Sequence, residues 1–179
     1  MSEVEKNIIS KFGNKENEKL GILIGGFKAI GKTTLAKKYK NVIDLESSNF
    51  EYIIDEELQK IPVEQRKGLK NRIKNPDYPL NYYTELIDNM KKNKITLFAC
   101  KPEIVDLLNQ NEIDYYIVYP EEDMLEEIIH RCKTRGNNEK FVSRVTEVYY
   151  SDLPKNKDKV IWLKKGQYLE DVLLKRGIL

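Results

Sequence analysis

Residues 25–34 decide the fold of this chain, and they read Gly25-Gly26-Phe27-Lys28-Ala29-Ile30-Gly31-Lys32-Thr33-Thr34. From Gly26 to Thr33 they match the pattern G-x-x-x-x-G-K-T, a loop whose backbone N–H groups surround phosphate oxygens. The apolar run at residues 20–24 predicts a buried strand before the loop, and residues 34–39 predict a helix after it. The pattern requires this order of strand, loop and helix. The stretch therefore predicts a binding site for a nucleoside triphosphate.

The loop residues have predicted roles toward ATP and Mg²⁺. Glycines let the backbone lie close to the phosphates, and the N-terminus of the following helix directs positive partial charge at them. We expect Lys32 to contact the β- and γ-phosphates as a catalytic residue and Thr33 to bind Mg²⁺. The predicted ATP-binding residues are Gly26, Phe27, Lys28, Ala29, Ile30, Gly31, Lys32, Thr33 and Thr34.

Length and composition limit the classes of protein to which the chain can belong. Its 179 residues predict one domain with its own core, and a charged fraction of 34% is typical of a globular protein. A net charge of +2 makes nucleic acid an unlikely partner, and two cysteines do not suggest a disulfide framework. The sequence has no long apolar run and no signal-peptide core. We therefore expect a cytoplasmic monomer or homodimer without a membrane partner.

Strand and helix patterns alternate along the chain after the loop. Four further strands are predicted at residues 41–46, 95–100, 115–119 and 159–163, with helical patterns between them. This alternation predicts an α/β fold with a parallel sheet and helices on both faces. A helix is expected from residue 49 to 59, because Ser48 and Glu51 have the spacing of a capping box. Residues 1–19 predict either a short amphipathic helix packed on the domain or an unstructured tail.

Charged side chains follow two of the predicted strands. The second strand ends in Asp44-Leu45-Glu46, where Asp44 is a candidate for holding Mg²⁺ or acting as a base. Arg131 and Arg135 follow the fourth strand, four residues apart on a helix, so both are expected to face the phosphates from one side. The third strand ends in Phe98-Ala99-Cys100-Lys101 without a carboxylate, unlike the strand that handles Mg²⁺ and water in many nucleotide hydrolases.

These features together resemble the small P-loop nucleoside monophosphate kinase superfamily, which includes adenylate kinase and shikimate kinase. The resemblance covers most of residues 20–175 in element order and is specific at the P-loop, at the acidic end of the second strand and at the arginine pair. It departs where adenylate kinases have Asp-Gly-Phe-Pro-Arg after the third strand, because residues 98–102 here read Phe-Ala-Cys-Lys-Pro. The chain looks closest to divergent members from low-GC bacteria and their phages that are named adenylate kinases.

The resemblance implies a three-layer fold with a five-stranded sheet in the order 2-3-1-4-5. It also implies one domain over residues 1–179, in which residues 49–93 bind the acceptor and residues 131–141 form a lid that carries catalytic Arg131 and Arg135. Lys101 would replace the phosphate-binding arginine of the family, as a point charge. The expected acceptor-binding residues are Glu46, Arg66, Arg72, Tyr82 and Lys101.

Three functions agree with these observations. The first is transfer of the γ-phosphate of MgATP to a small acceptor, with a nucleoside monophosphate as the leading expectation. The second is a kinase of a nucleoside or a small hydroxy metabolite, which Asp44 and Glu46 favour. The third is a nucleotide-binding regulator without phosphotransfer, which the altered loop residues 27–30 leave open. An NTPase coupled to nucleic acid is a weaker alternative, because the net charge is near zero.

Overall fold

The computed structural model of the protein describes residues 20–62, 66, 72–151 and 157–179. The N-terminal segment 1–19, for which the sequence leaves two alternatives, lies outside the described residues. So do Lys67 and Lys70, which lie between Arg66 and Arg72 in the predicted acceptor segment. The remaining elements cover the P-loop, both predicted charged strand ends and the arginine pair.

Five strands and eight α-helices make up the described fold. The strands are β1 (Ile22–Gly26), β2 (Val42–Leu45), β3 (Ile95–Ala99), β4 (Tyr116–Pro120) and β5 (Val160–Leu163). The helices are α1 (Lys32–Lys38), α2 (Ser48–Glu51), α3 (Glu56–Gln59), α4 (Leu80–Lys91), α5 (Pro102–Gln110), α6 (Leu125–Thr134), α7 (Glu139–Ser151) and α8 (Leu169–Lys175). Short 3-10 turns precede α6 at Glu122–Met124 and β5 at Lys157–Lys159.

The strands form one parallel sheet in the order β2-β3-β1-β4-β5, which confirms the predicted order. The P-loop strand β1 is central, with Gly26 opposite Ala99 of β3 and Val118 of β4. A strand with neighbours on both sides and helices over both faces is buried throughout, which is why β1 reads as a continuous apolar run. The carboxyl ends of β1, β2 and β3 therefore meet at one edge of the sheet.

The connections distribute the helices over both faces of the sheet. From β1 the chain moves past β3 to β2, whereas from β3 it moves past β1 to β4, in the opposite direction. Right-handed crossovers place α1 on one face and α5 on the other. The packing agrees, because α8 packs on α1 and α4 packs on α5. This is the three-layer α/β architecture expected from the sequence.

The predicted helix over residues 49–59 is wrong, because the chain forms two short helices there, α2 and α3. Between them Tyr52 is extended and forms an antiparallel bridge with Lys74, and the amide of Ile53 donates to the carbonyl of Ile73 at 2.9 Å. Asp55 then begins a new helix, since its side chain accepts the amide of Leu58 at 2.8 Å. β-Branched residues before a capping aspartate favour this break over a continuous helix.

The N-terminus of α2 also differs from the predicted capping box. Ser47 is the N-cap residue instead of Ser48, and its side chain makes no capping hydrogen bond.

Among the described residues, no helix combines the length and the apolar character that crossing a membrane requires.

Candidate functional site at the carboxyl edge of the sheet

The P-loop is attached to the core by its apolar residues. Phe27 is only 3% exposed, and its ring lies 4.7 Å from the ring of Tyr119 and 5.4 Å, edge to face, from that of Tyr149. Ala29 and Ile30 are buried as well. Three of the four altered loop residues 27–30 are therefore anchors that hold the loop against the sheet.

The backbone of the loop needs glycine at two positions. Gly31, the N-cap residue of α1, has φ 103°, a conformation that other residues rarely adopt. At Gly26 the backbone is crowded, since a Cβ would lie 2.8 Å from Cδ1 of Ile30 and 3.2 Å from Cδ of Lys32. Gly26 thus makes room for the Lys32 side chain, and Gly31 turns the chain into α1.

The Lys32 side chain lies across the loop. Its Nζ donates to the carbonyl oxygens of Gly26 at 2.9 Å and Phe27 at 2.8 Å. These two bonds hold the ammonium group at the concave side of the loop, where the predicted phosphates would lie. The arrangement fits the role expected of Lys32, because a phosphate oxygen can replace a carbonyl as the acceptor.

Thr33 and Asp44 meet in the structure although eleven positions separate them. The hydroxyl of Thr33, at the start of α1, donates to Oδ2 of Asp44 in β2 at 2.7 Å. Oxygen donors of this kind are what Mg²⁺ prefers, and it usually takes few protein ligands besides phosphate and water. Among the described residues there is no group of three or more His, Cys, Asp and Glu side chains that could hold a metal ion. The pair therefore fits Mg²⁺ bound together with a nucleotide.

Arg131 does not project freely toward the loop. It is 7% exposed, forms an ion pair with Glu127 one turn earlier, and donates from Nη2 to the carbonyl of Gln167 at 2.8 Å. Its guanidinium carbon lies 3.9 Å from the ring centre of Tyr168. Glu127 also accepts the amide of Gly166. In this structure Arg131 therefore joins α6 to the loop between β5 and α8.

That loop also contacts the P-loop. The amide of Leu169 donates to the carbonyl of Ile30 at 2.9 Å, and the Tyr168 side chain approaches Gly31 so closely that a Cβ there would lie 3.4 Å from its ring. Residues 166–168 thus form one wall beside the nucleotide loop. Arg131 contacts two residues of this wall, Gln167 and Tyr168.

Arg135, the second predicted lid arginine, is exposed at the C-terminus of α6. Burial raises the pKa of the neighbouring Cys132 thiol, and the positive charges of Arg135 and Lys28 act in the opposite direction. The two arginines differ in exposure: Arg131 is buried, whereas Arg135, four residues later, is exposed.

Near the end of β3, Lys101 forms an ion pair with Glu51, a pairing that the sequence did not indicate. Its ammonium group lies 2.5 Å from Oε2 of Glu51, with side chains 28% and 18% exposed, and 5.1 Å from the ring centre of Tyr78. The Tyr78 hydroxyl donates to Glu103 at 3.0 Å. Burial, together with the Glu103 and Glu51 charges, raises the pKa of Tyr78, so the phenol stays protonated.

The two arginines expected to bind the acceptor also make contacts within the protein. Arg66 donates from Nε to the carbonyl of Ile61 at 2.6 Å and from Nη2 to that of Gln59 at 3.1 Å, at the end of α3. The guanidinium of Arg72 lies 3.7 Å from the ring centre of Tyr52, and its buried Nε has no hydrogen-bond partner among the described residues. Arg66 thus caps the end of α3, and Arg72 packs on Tyr52.

Tyr82 and Glu46 complete the predicted acceptor residues. Tyr82 is fully buried, and its hydroxyl donates to the carbonyl of Leu45 at 2.7 Å and accepts the amide of Ala99 at 3.2 Å. Its ring is therefore not placed to stack on a ligand; it joins the ends of β2 and β3. Glu46 is partly buried after β2 and accepts the amide of Ser48 at 3.4 Å.

Sequence reasoning missed three participants, namely Glu51, Glu127 and Tyr168 as structural partners of the predicted cations. Glu127 could have been found from its position four residues before Arg131, a spacing that favours ion pairs on a helix. Glu51 lies fifty positions from Lys101, and no local signal indicates that pairing.

Comparisons with known proteins agree at the level of the fold. No protein-family model matches the chain, and neither does any curated protein sequence. Among solved structures, the chain is similar to a gluconokinase from Sinorhizobium meliloti 1021, with 12% identity, a TM-score of 0.52, and coverage of 89% of this chain and 90% of that one.

The tunicamycin resistance protein of Deinococcus radiodurans is similar to the same degree, with 13% identity, a TM-score of 0.52, and coverage of 89% of this chain and 96% of that one. The chain has a P-loop kinase fold. Identities this low concern the fold alone, so the acceptor must be inferred from the residues of this chain.

Proposed function

We propose that the protein is an ATP-dependent phosphotransferase that moves the γ-phosphoryl group of MgATP to a hydroxyl group of a small acceptor. The observation that carries the proposal is the 2.7 Å hydrogen bond from Thr33 to Asp44. This bond joins the Asp44 carboxylate of β2 to Thr33, the residue that the P-loop pattern assigns to Mg²⁺. A carboxylate at this place suits an acceptor hydroxyl, which must lose a proton on transfer.

The chemistry requires positioning and charge stabilisation more than covalent catalysis. The acceptor oxygen forms a bond to the γ-phosphorus while the bond from that phosphorus to the β,γ-bridging oxygen breaks, and ADP leaves with the electron pair. The hydroxyl proton passes to Asp44, whose carboxylate has acceptor positions beyond the one that Thr33 uses. Lys32 and the loop amides stabilise the charge on the transferred group. Thr33 and Asp44 would hold Mg²⁺, which would neutralise part of the phosphate charge.

The fold comparisons support a kinase-type phosphotransferase at a coarse level. One similar structure is named a gluconokinase, so the fold is used by a kinase of a small hydroxylated compound. Its identity of 12% transfers no substrate to this chain.

A nucleoside monophosphate remains the second candidate acceptor, because the Nε of Arg72 has no hydrogen-bond partner in the part of the chain that the structure describes. An acceptor phosphate could use that donor. Lys101, two residues after β3, argues against this candidate because Glu51 neutralises its charge.

Coupled detection of ADP across nucleosides, nucleoside monophosphates and sugars tests the proposal. We expect ADP release that depends on one class of acceptor. Asp44→Asn should lower kcat by about a hundredfold or more, because it removes the proposed base and one of the two groups that would hold Mg²⁺, and keeps the shape of the side chain. Asp123→Asn is a matched control, since it removes an exposed carboxylate that pairs with Lys165 at 3.0 Å.

Lys32→Ala separates the proposal from the regulator alternative. We expect it to abolish MgATP binding in isothermal titration. If wild-type protein binds MgATP tightly, loses that binding in Lys32→Ala and releases no ADP with any acceptor, the phosphotransferase proposal is refuted and a nucleotide-binding regulator remains.

A further inference from the structure

The Glu51–Lys101 pair lies where an acceptor must approach. Lys101 follows β3 by two residues, and Glu51 belongs to α2, which follows β2. Both strands run parallel to the P-loop strand β1, so they end at the edge of the sheet that carries the P-loop. Acceptors in open parallel sheets bind at this edge. The pair is partly open to solvent, with 28% of the Lys101 side chain and 18% of the Glu51 side chain exposed.

Several carboxylates lie near this pair, and the Arg72 guanidinium lies on the ring of Tyr52, the residue after Glu51. Besides Glu51, Glu103 accepts the Tyr78 hydroxyl that lies beside Lys101. Asp44 belongs to β2 and Glu46 directly follows this strand, so both carboxylates lie near the end of β2. An acceptor that brings two further negative charges would face these carboxylates, and like charges at close quarters weaken binding strongly.

A partly exposed lysine–glutamate pair offers a donor and an acceptor side by side. A hydroxyl group can accept from the ammonium and donate to the carboxylate, and two neighbouring hydroxyls can use both groups at once. The Tyr78 ring, 5.1 Å from the ammonium, and the short ion pair hold both groups in place. A phosphate group can use only the ammonium and is repelled by the carboxylate.

We propose that the Glu51–Lys101 pair binds the acceptor through neighbouring hydroxyl groups, and that Glu51 selects an uncharged polyhydroxyl acceptor over its phosphorylated form. The inference rests on the proposed phosphotransferase function and adds the acceptor class and a specificity-determining residue. Glu51 acts on the charge and orientation of Lys101 and on the acceptor hydroxyl, and it has no role in the transfer step itself.

Matched acceptors that differ by one phosphate test the inference. The probes are D-ribose with D-ribose 5-phosphate, and thymidine with thymidine 5′-monophosphate, each with saturating MgATP. The readout is the ratio of kcat/KM for the unphosphorylated and the phosphorylated member. We expect wild type to favour the unphosphorylated member, and Glu51→Gln to move the ratio by about tenfold or more toward the phosphorylated one, because Lys101 loses its counter-charge.

Two variants serve as controls. Glu147→Gln removes an exposed carboxylate from an ion pair with Arg144 on α7, at 3.2 Å, and should leave the ratio unchanged. Lys101→Gln keeps the carboxylate but removes the cation, so it should lower kcat/KM for the unphosphorylated member without favouring the phosphorylated one. It also keeps the inference testable if Glu51→Gln does not fold, as judged by circular dichroism.

The outcomes distinguish the two proposals. Acceptor-dependent ADP release with a ratio that Glu51→Gln leaves unchanged, or a wild type that prefers the phosphorylated members, overturns the role of Glu51 while phosphotransfer stands. No ADP release with any probe refutes phosphotransfer instead. Titration calorimetry with the same four compounds and a non-hydrolysable ATP analogue then decides on Glu51: a wild-type preference for the unphosphorylated members that Glu51→Gln removes supports its role, and equal or absent binding overturns it.

Discussion

Replacing Phe27 by alanine tests whether the core holds the nucleotide loop in shape. The ring is 3% exposed and packs against Tyr119 and Tyr149. Buried Phe→Ala substitutions cost about 3–5 kcal/mol, because apolar transfer energy is lost and a cavity remains. We therefore expect the free energy of unfolding to fall by about 4 kcal/mol, within the roughly 5–15 kcal/mol that a domain has available. Phe27→Leu keeps most of the apolar volume and should cost about 1–2 kcal/mol.

Urea unfolding followed by circular dichroism measures this loss. With a slope of about 2 kcal/mol per molar, the Phe27→Ala midpoint should move by about 2 M. Because the loop then needs ordering when the nucleotide binds, the Kd for MgATP should rise by about tenfold. Leu108→Ala in α5, fully buried and away from the loop, is the matched control: it should lose comparable stability without a change in Kd. A stability loss below about 1 kcal/mol, or equal effects of both variants on Kd, would refute the anchoring role.

Three further substitutions follow from the described contacts. Tyr82→Phe removes the hydroxyl that joins β2 to β3, so we expect urea unfolding to show a loss of about 1–3 kcal/mol with an unchanged KM for the acceptor; a raised KM without that loss would support a substrate-binding role instead. Arg131→Ala leaves the partly buried Glu127 carboxylate without its cation and should cost about 2 kcal/mol in the same assay, whereas a loss below about 0.5 kcal/mol would show that the pair behaves like an exposed one. Hydrogen bonding to Lys38 holds the pKa of Glu170 below its usual 4.5, so this group contributes stability above pH 4.5 that is lost as the pH falls through the folded-state pKa. Glu170→Gln should therefore flatten the acid-side decrease of the unfolding midpoint, and parallel profiles for variant and wild type would contradict this.

Local sequence signals predicted the fold because each of them depends only on residues that are close together in the sequence. The G-x-x-x-x-G-K-T loop, the apolar run before it and the regular alternation of strands and helices indicated a parallel sheet. The family resemblance implied the order β2-β3-β1-β4-β5, which the structure confirms. The prediction failed at residues 49–59, where an extended bridge to Lys74 and the cap formed by Asp55 divide one expected helix into two. That bridge depends on a partner more than twenty positions away, so local helical patterns could not reveal it.

Some predicted site residues meet in the structure as expected, whereas others make contacts that the sequence did not indicate. Thr33 and Asp44 were expected near the metal from their positions at the ends of neighbouring elements, and the structure brings them to 2.7 Å. Arg131 was expected to face the phosphates, yet its guanidinium is buried against Glu127 and Tyr168. Helical spacing placed the two lid arginines near each other but could not tell which would be buried, because burial depends on the loop after β5.

The sequence alone predicted a phosphate-binding P-loop between a strand and a helix, since that loop needs particular residues at fixed spacing. The structure shows that this strand is central in the sheet and that Phe27 packs into the core. The charge balance around Lys101 was decided by tertiary structure. Lys101 is a cation in the sequence, and Glu51, fifty positions earlier, neutralises it only because β2 and β3 end side by side. Electrostatic recognition depends on distances in space, and chain folding sets those distances.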